Sequence, residues 1–366
     1  MKFNEMEYPK ITLTLENGDR FDGYSFGYEG SVAGEVVFNT AMTGYPESLT
    51  DPSYKGQILV LTYPIVGNYG VPEEAKEHNL HRFFESNALH ISALVISDYS
   101  ANYSHWNAMK SLGDWLNEYK IPGIFGVDTR MITKILREKG SMLGKVVAGD
   151  NDLEWYDPNN DHLVKKVTTP KREVYGEGKH RILLIDCGVK YNIIRYLLQR
   201  DTTIIRVPYD HDLSKEEYDG LFISNGPGDP KHCPETIAQL AGAFKRDTPI
   251  FGICLGNQLM ALAAGADTYK LKYGHRSHNQ PVLEVDTDKA YITSQNHGFA
   301  IDNKTLPADW KPLFVNLNDD TNEGMVHATR PFFSTQFHPE ASGGPTDTAY
   351  LFDAFIEKIE AHKADK

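Results

Sequence analysis

From His180 to Ala266 the sequence alternates short apolar runs with helical stretches: HRILLIDCG, YNIIRYLLQR, TTIIRVP, GLFISNGPGDP, ETIAQLAGAF, PIFGICLG and NQLMALAAGA. The apolar runs are β-branched and aliphatic, as in strands buried on both faces, and the stretches between them carry helical spacing. Such an alternation implies a parallel sheet covered by helices on both faces, with any ligand beyond the carboxyl ends of the strands. Near the C-terminus, TAYLFDAFIEKIEAHK gathers Leu351, Phe352, Phe355, Ile356 and Ile359 on one helical stripe that closes the core.

The first half reads differently. In ITLTLENGDRF, residues 11 to 21, Ile11, Leu13 and Leu15 alternate with polar residues, and Asn17-Gly18 supplies a two-residue hairpin turn. The runs EVVFNTAMTGY (35 to 45), QILVLTYPIVG (57 to 67) and ALHISALVIS (88 to 97) read as further strands, with helical patterns near 105 to 119 and 129 to 139. This half is expected to be α+β. A polar, Pro- and Gly-interrupted stretch without sustained period follows, so domains are predicted over 1–150 and 180–366 with a linker at 151–179. A chain of 366 residues suits two domains of ordinary size.

With 40% hydrophobic and 24% charged residues the chain is a folded globular protein. Lys and Arg total 37 against 50 Asp and Glu, a net charge of -13 that disfavours nucleic acid and anionic lipid as partners. Cys187, Cys233 and Cys254 form no C-x-x-C pair, so neither a disulfide framework nor a zinc knuckle is indicated. No apolar leader and no run of 18 apolar residues is present, so a cytoplasmic protein without a membrane span is expected. The i,i+3 pairs His78/His81 and His275/His278 lack a carboxylate or third His at ligand spacing, and no metal is expected.

Three segments carry chemistry. Gly252-Ile253-Cys254-Leu255-Gly256 lies between an apolar strand and a helix, the sulfur version of a nucleophile elbow. Flanking glycines permit the sharp turn, and a helix N-terminus favours the thiolate, the species that attacks a carbonyl. In Phe337-His338-Pro339-Glu340, Pro339 biases His338 toward extended backbone, so Glu340 can accept the second ring N–H of His338. The loop Asn225-Gly226-Pro227-Gly228-Asp229-Pro230 follows a strand and can offer the Gly228 N–H, beside that of Leu255, to an oxyanion. Singly, each has a bland reading: a buried structural cysteine, a surface His-Pro turn, a Pro-Gly turn. Their order along one alternating sheet favours the joint reading.

ISNGPGDP, FGICLGNQLMALAAGA, SQNHGF and QFHPE together resemble the class I (triad) glutamine amidotransferases. In the first half, GEVVFNTAMTGYPESLTDPSYKGQILVLTYPIVGNYG is similar to the amino-terminal domain of the small, glutamine-hydrolysing chain of carbamoyl phosphate synthetase. The resemblance covers nearly the whole chain and implies an α+β N-terminal domain followed by an open, mostly parallel α/β amidotransferase domain. It implies Cys254 as nucleophile, His338 as proton carrier oriented by Glu340, and the Gly228 and Leu255 N–H groups as oxyanion donors. L-Glutamine would be held by Ser53 from the first domain and by Gly226, Gly228, Leu255, Gln258, Asn296, Gly298 and Phe299, which would put the site at the domain interface.

The resemblance further implies a large synthetase chain as partner, receiving ammonia through a protected tunnel and making carbamoyl phosphate from bicarbonate. ATP and Mg are expected on that partner, because this chain has no G-x-x-x-x-G-K-[ST] and no room for a synthetase domain; no cofactor is expected here. One position departs from the family: after Gly256, where His is usual, stands Asn257, which puts the rate or coupling of hydrolysis in question. The rival readings are a glutaminase subunit for another acceptor, a weakly catalytic regulatory module of the same complex, and a free-standing cysteine hydrolase.

Overall fold

The computed structural model describes residues 8–149 and 153–364. They fall into two compact units that divide between Asn160 and Asp161.

The first unit is built on a closed barrel of seven strands, β1 (Lys10–Leu15), β2 (Arg20–Ser25), β3 (Val32–Asn39), β4 (Gln57–Leu61), β5 (Ala93–Val95), β6 (Gly123–Phe125) and β7 (Met142–Ala148), in the order β1-β7-β3-β4-β5-β6-β2. The hairpin β1–β2 turns at Asn17-Gly18, where Gly18 takes a positive φ of 91° that glycine adopts without strain. Helix α1 (Leu112–Glu118) starts later than the 105–119 pattern suggests because Ser111 caps it, its Oγ accepting the Asp114 N–H at 3.0 Å, while Ala108–Lys110 pairs with Val71–Pro72. Helix α2 (Thr129–Lys139) spans the segment expected. Trp115, Leu59, Leu94, Tyr54 and Phe84 form the core of this unit.

In the second unit β8 (Glu173–Tyr175), β9 (His180–Asp186), β10 (Thr202–Pro208), β11 (Gly220–Ile223), β12 (Ile250–Ile253), β13 (Thr268–Glu284), β14 (Ala290–Ile301), β15 (Trp310–Asn316), β16 (Asn322–His327) and β17 (Phe332–Thr335) form one ten-stranded sheet in the order β8-β10-β9-β11-β12-β17-β16-β15-β13-β14. Strands β10, β9, β11, β12 and β17 are parallel, as the alternation predicts, and β13 to β16 extend the sheet antiparallel. The parallel strands are crossed by α3 (Tyr191–Leu198), α4 (Pro234–Ala243) and α5 (Leu255–Ala264), and α6 (Tyr350–Ala364) ends the chain.

Phe352 and Phe355 of α6 pack on Phe222 and Phe251, and Phe251 stacks on Phe333 at 4.4 Å. Losing one such ring costs about 3–5 kcal/mol, so α6 fastens the sheet as its stripe implies. Leu255, Leu259 and Met260 of α5 lie in the other core cluster, with Cys187, Cys233 and Leu240.

The stretch expected as a linker is structured where it is described. Lys145 lies over the Trp155 ring, Leu163 and Val164 are buried, and Glu173–Tyr175 adds an edge strand. Isolated apolar residues in a polar stretch thus find a core in either unit; Asn151 and Asp152 lie outside the described residues. No helix of the described residues is long and apolar enough to cross a membrane.

Candidate active site

Strands β11, β12 and β17 are neighbours, and each releases one segment of interest at its carboxyl end. Cys254 follows β12 and precedes α5 with φ 55° and ψ −104°, left-handed backbone that a side chain rarely adopts and that tightly packed surroundings must hold. Its N–H donates to Thr335 O of β17 at 2.8 Å. The flanking glycines have a steric reason: a Cβ on Gly256 would stand 2.3 Å from Ile223 O, and one on Gly252 2.8 Å from the Gly256 backbone. Helix α5 therefore sits directly on β11 and β12, presenting the Leu255 N–H, one of those a helix leaves without an internal acceptor.

His338 follows β17 and is fixed by its N–H to Ser294 O, 2.9 Å. Its Nδ1 meets Glu340 Oε1 at 2.7 Å, the contact expected of side chains two apart on extended backbone. Both groups are buried, Glu340 fully. Lys190 Nζ donates to the same Glu340 oxygen at 3.0 Å, and Asn192 holds the Glu340 carbonyl. Burial by itself would raise the Glu340 carboxyl, but the Lys190 and His338 charges hold it down at about 2. Burial likewise opposes the His338 imidazolium, yet the Glu340 charge, aided by the nearby Cys254 thiol, raises it to about 10. The result is a buried chain of alternating charge that runs from Lys190 through Glu340 to His338, beside the Cys254 thiol.

The loop after β11 completes the apex. Asn225 Oδ1 accepts the Lys190 N–H at 3.0 Å, and a Cβ on Gly226 would fall 2.1 Å from Cys187 O. Gly228 has φ 84°, which glycine alone adopts cheaply. Across from the elbow, Asn296 O accepts the Cys254 thiol at 3.7 Å, and Gln258 Nε2 donates to Phe299 O at 2.9 Å. A Cβ on Gly298 would come 3.3 Å from Arg276 Nη2. The second unit thus sets Cys254 beside His338 and Asn296, His338 beside Glu340, Gly226 beside Leu255, and Gln258 beside Phe299, while Gly228 lies against Leu163 and Gly298 near Arg276. Ser53 belongs to the first unit, buried in a turn where its N–H donates to Asp51 Oδ1 at 2.9 Å.

Asn257 is fully buried, accepts the Ser334 hydroxyl at 2.7 Å and donates to Gln336 Oε1 at 3.1 Å. Its bonds tie α5 to β17, a packing role. Burial pushes the Cys187 thiol well up and that of Cys233 to about 12, away from the reactive thiolate. Lys190 is the functional residue missed from sequence. Its signal is a lysine opening a helix directly after a buried strand, where the helix dipole disfavours a cation unless an acid stands close. The pair His275/His278 separates, His278 bonding Ser294 Oγ at 2.7 Å while His275 joins His297 and Glu323 from other strands.

Residues 183–358 match the family described as Glutamine amidotransferase class-I, and residues 13–146 match Carbamoyl-phosphate synthase small chain, CPSase domain. The sequence is 51% identical over 370 residues to the carbamoyl phosphate synthase arginine-specific small chain of Aspergillus oryzae, covering 98% of this chain and 82% of that one. It is 51% identical over 368 residues to the protein of the same name from Saccharomyces cerevisiae, covering 97% and 90%. Against the mitochondrial carbamoyl-phosphate synthase (ammonia) of Homo sapiens it is 50% identical over 357 residues, covering 96% of this chain and 24% of that one.

Proposed function

This chain belongs to the carbamoyl-phosphate synthase small-chain family, and from that premise we propose that it hydrolyses glutamine at Cys254 and supplies the ammonia to a large synthetase chain. The observation that carries the chemistry is the buried series Lys190, Glu340, His338, closed at 3.0 and 2.7 Å beside a cysteine at the N-terminus of α5.

The Cys254 thiol gives its proton to His338 as its sulfur bonds to the side-chain amide carbon of glutamine, and the Gly228 and Leu255 N–H groups take the charge on the oxygen. His338 gives its Nε2 proton to the nitrogen as the C–N bond breaks, releasing ammonia and a glutamyl thioester. Water then adds to the thioester carbon with His338 taking its proton, the C–S bond breaks, and glutamate leaves. Glu340 keeps the imidazole oriented and supports its charge, and Lys190 keeps Glu340 ionised. Gly226, Gln258, Asn296, Gly298 and Phe299 would bind glutamine. ATP, Mg and the tunnel that receives ammonia would lie with the large chain, where carbamoyl phosphate forms.

The test is ammonia release from glutamine by the purified chain, alone and with the cognate large chain, ATP and bicarbonate. Hydrolysis stimulated by the partner and abolished in Cys254→Ser, with synthesis from added ammonia intact, supports the reading. Absence of hydrolysis under every condition overturns it in favour of a regulatory module.

A further inference from the structure

The antiparallel half of the second sheet holds a separate cluster of buried polar side chains. Register shifts in β13 on either side of residues 275–277 set His275 opposite His297 of β14. Gln295 stands two residues before His297 on the same face, and Glu323 comes from β16. All four are at most 6% exposed. Ligand-capable atoms of His275, His297 and Glu323 lie within 4.8 Å of one another. Gln295 Oε1 is 3.1 Å from both His275 Nδ1 and His297 Nε2, and Glu323 Oε1 is 3.4 Å from His275 Nδ1. Metal bonds of about 2.0–2.1 Å in tetrahedral array put their ligands about 3.3 Å apart.

The cluster carries one positive charge of its own, the His275 imidazolium, which burial opposes but Asp319 and Glu323 hold up at about 9. A bound metal would take the place of its Nδ1 proton. His297 Nδ1 lies 2.8 Å from Phe299 O, so it carries the ring hydrogen and Nε2 presents a lone pair. His275 Nε2 lies 2.9 Å from Asp319 Oδ2, so in the neutral ring Nδ1 presents a lone pair too. Both meet the Gln295 oxygen, and Glu323 Oε2 makes no hydrogen bond among the described residues. The Asn316 amide is also directed at the cluster, its Nδ2 2.8 Å from Glu323 Oε1 and 3.5 Å from His275 Nδ1. Turning the Gln295 amide over would set its oxygen against Thr293 Oγ1, 3.2 Å away, whose own hydrogen goes to Gln280 O at 2.9 Å.

We propose that His275 Nδ1, His297 Nε2, Gln295 Oε1 and the Glu323 carboxylate bind one divalent transition metal of the zinc class in a closed, four-coordinate site. Two imidazoles, a carboxylate and an amide oxygen suit such an ion. Asp319 and Phe299 O hold the two rings from behind, as the outer partners of metal-bound histidines do. The metal would pin β13, β14 and β16 together and steady Asn296–Phe299 across from Cys254. Its role is structural, and the site stands whether or not the chain hydrolyses glutamine.

The test uses the full chain as Cys254→Ser, which removes the thiol most open to metal. After equilibration with zinc and gel filtration, plasma mass spectrometry is expected to find one zinc per chain. Cobalt(II) is expected to give the intense visible bands of four-coordination without a sulfur charge-transfer band. His275→Asn and Glu323→Gln should each weaken binding more than about tenfold. Should those variants misfold, thermal unfolding of the Cys254→Ser chain decides: zinc raises its Tm and chelator lowers it. No stoichiometric metal, a sulfur band, an unmoved Tm, or metal retained in both variants overturns the proposal; a metal-free cluster would then be held by a second proton on His275.

Discussion

The two halves of the second sheet both bury ionisable groups, and they differ in how the charge is closed. Around the parallel half, Lys190, Glu340 and His338 alternate in sign, so each charge has an opposite neighbour within the protein. In the antiparallel half, His275, His297, Gln295 and Glu323 converge, with the Asn316 amide aimed among them. A buried charge is tolerated where its field is neutralised at hydrogen-bond range and is costly elsewhere. The parallel cluster is complete as the chain folds and is suited to chemistry. The antiparallel cluster can close its charge with a second proton on His275 or, as proposed, with a metal ion, and is suited to fastening strands.

Cys254→Ser is the largest expected break between the halves. Glutamine hydrolysis should fall at least about a thousandfold, as for other enzymes that lose their nucleophile, while the cobalt spectrum of the antiparallel cluster stays unchanged. Next in size is Lys190→Met, which leaves the fully buried Glu340 charge without its ammonium partner. Unfolding free energy, read from urea titration, should drop by about 3–5 kcal/mol.

The pH dependence sharpens the same contrast. Glu340 is held at about 2 against an ordinary 4.5, so its contribution is whole above 4.5 and is lost as pH falls toward 2. His338 is raised to about 10 from 6.5, so its contribution is whole below 6.5 and is lost as pH climbs toward 10. Both limbs report one ion pair, worth on the order of 3 kcal/mol, and stability should peak between them. Glu340→Gln should flatten both limbs in urea unfolding measured across pH; a variant curve parallel to the original would separate the pair from stability.

What was legible in the sequence was local. The elbow needs small residues at fixed offsets from Cys254, and His338 with Glu340 needs only extended backbone between them. Lys190 was legible only as an oddly placed lysine at a helix start, because its partner Glu340 lies 150 residues away. The His275 cluster was not legible, because its members come from three strands whose register depends on bulges that periodicity does not show. The barrel of the first unit was read only as strands, because closure rests on the distant pairings of β1 with β7 and β2 with β6.

Two helical glycines give the finest test of which parts of the parallel half are tightly fitted. Gly256→Ala would drive a methyl group to within 2.3 Å of the Ile223 carbonyl oxygen, which is backbone and cannot swing aside. Helix α5 must then lift from β11, at about 1–3 kcal/mol, carrying the Leu255 N–H out of place, so melting temperature and hydrolysis should fall together. Gly242, exposed in α4, would gain a methyl group that meets nothing within 4 Å. Gly242→Ala should therefore stabilise the protein by at most about 0.5–1 kcal/mol through the lost freedom of the unfolded chain. It sits next to the last residue of α4, where fraying keeps the gain at the low end. A small rise in Tm with unchanged hydrolysis is expected; a fall in hydrolysis would mean that α4, and not α5 alone, sets the geometry around Cys254.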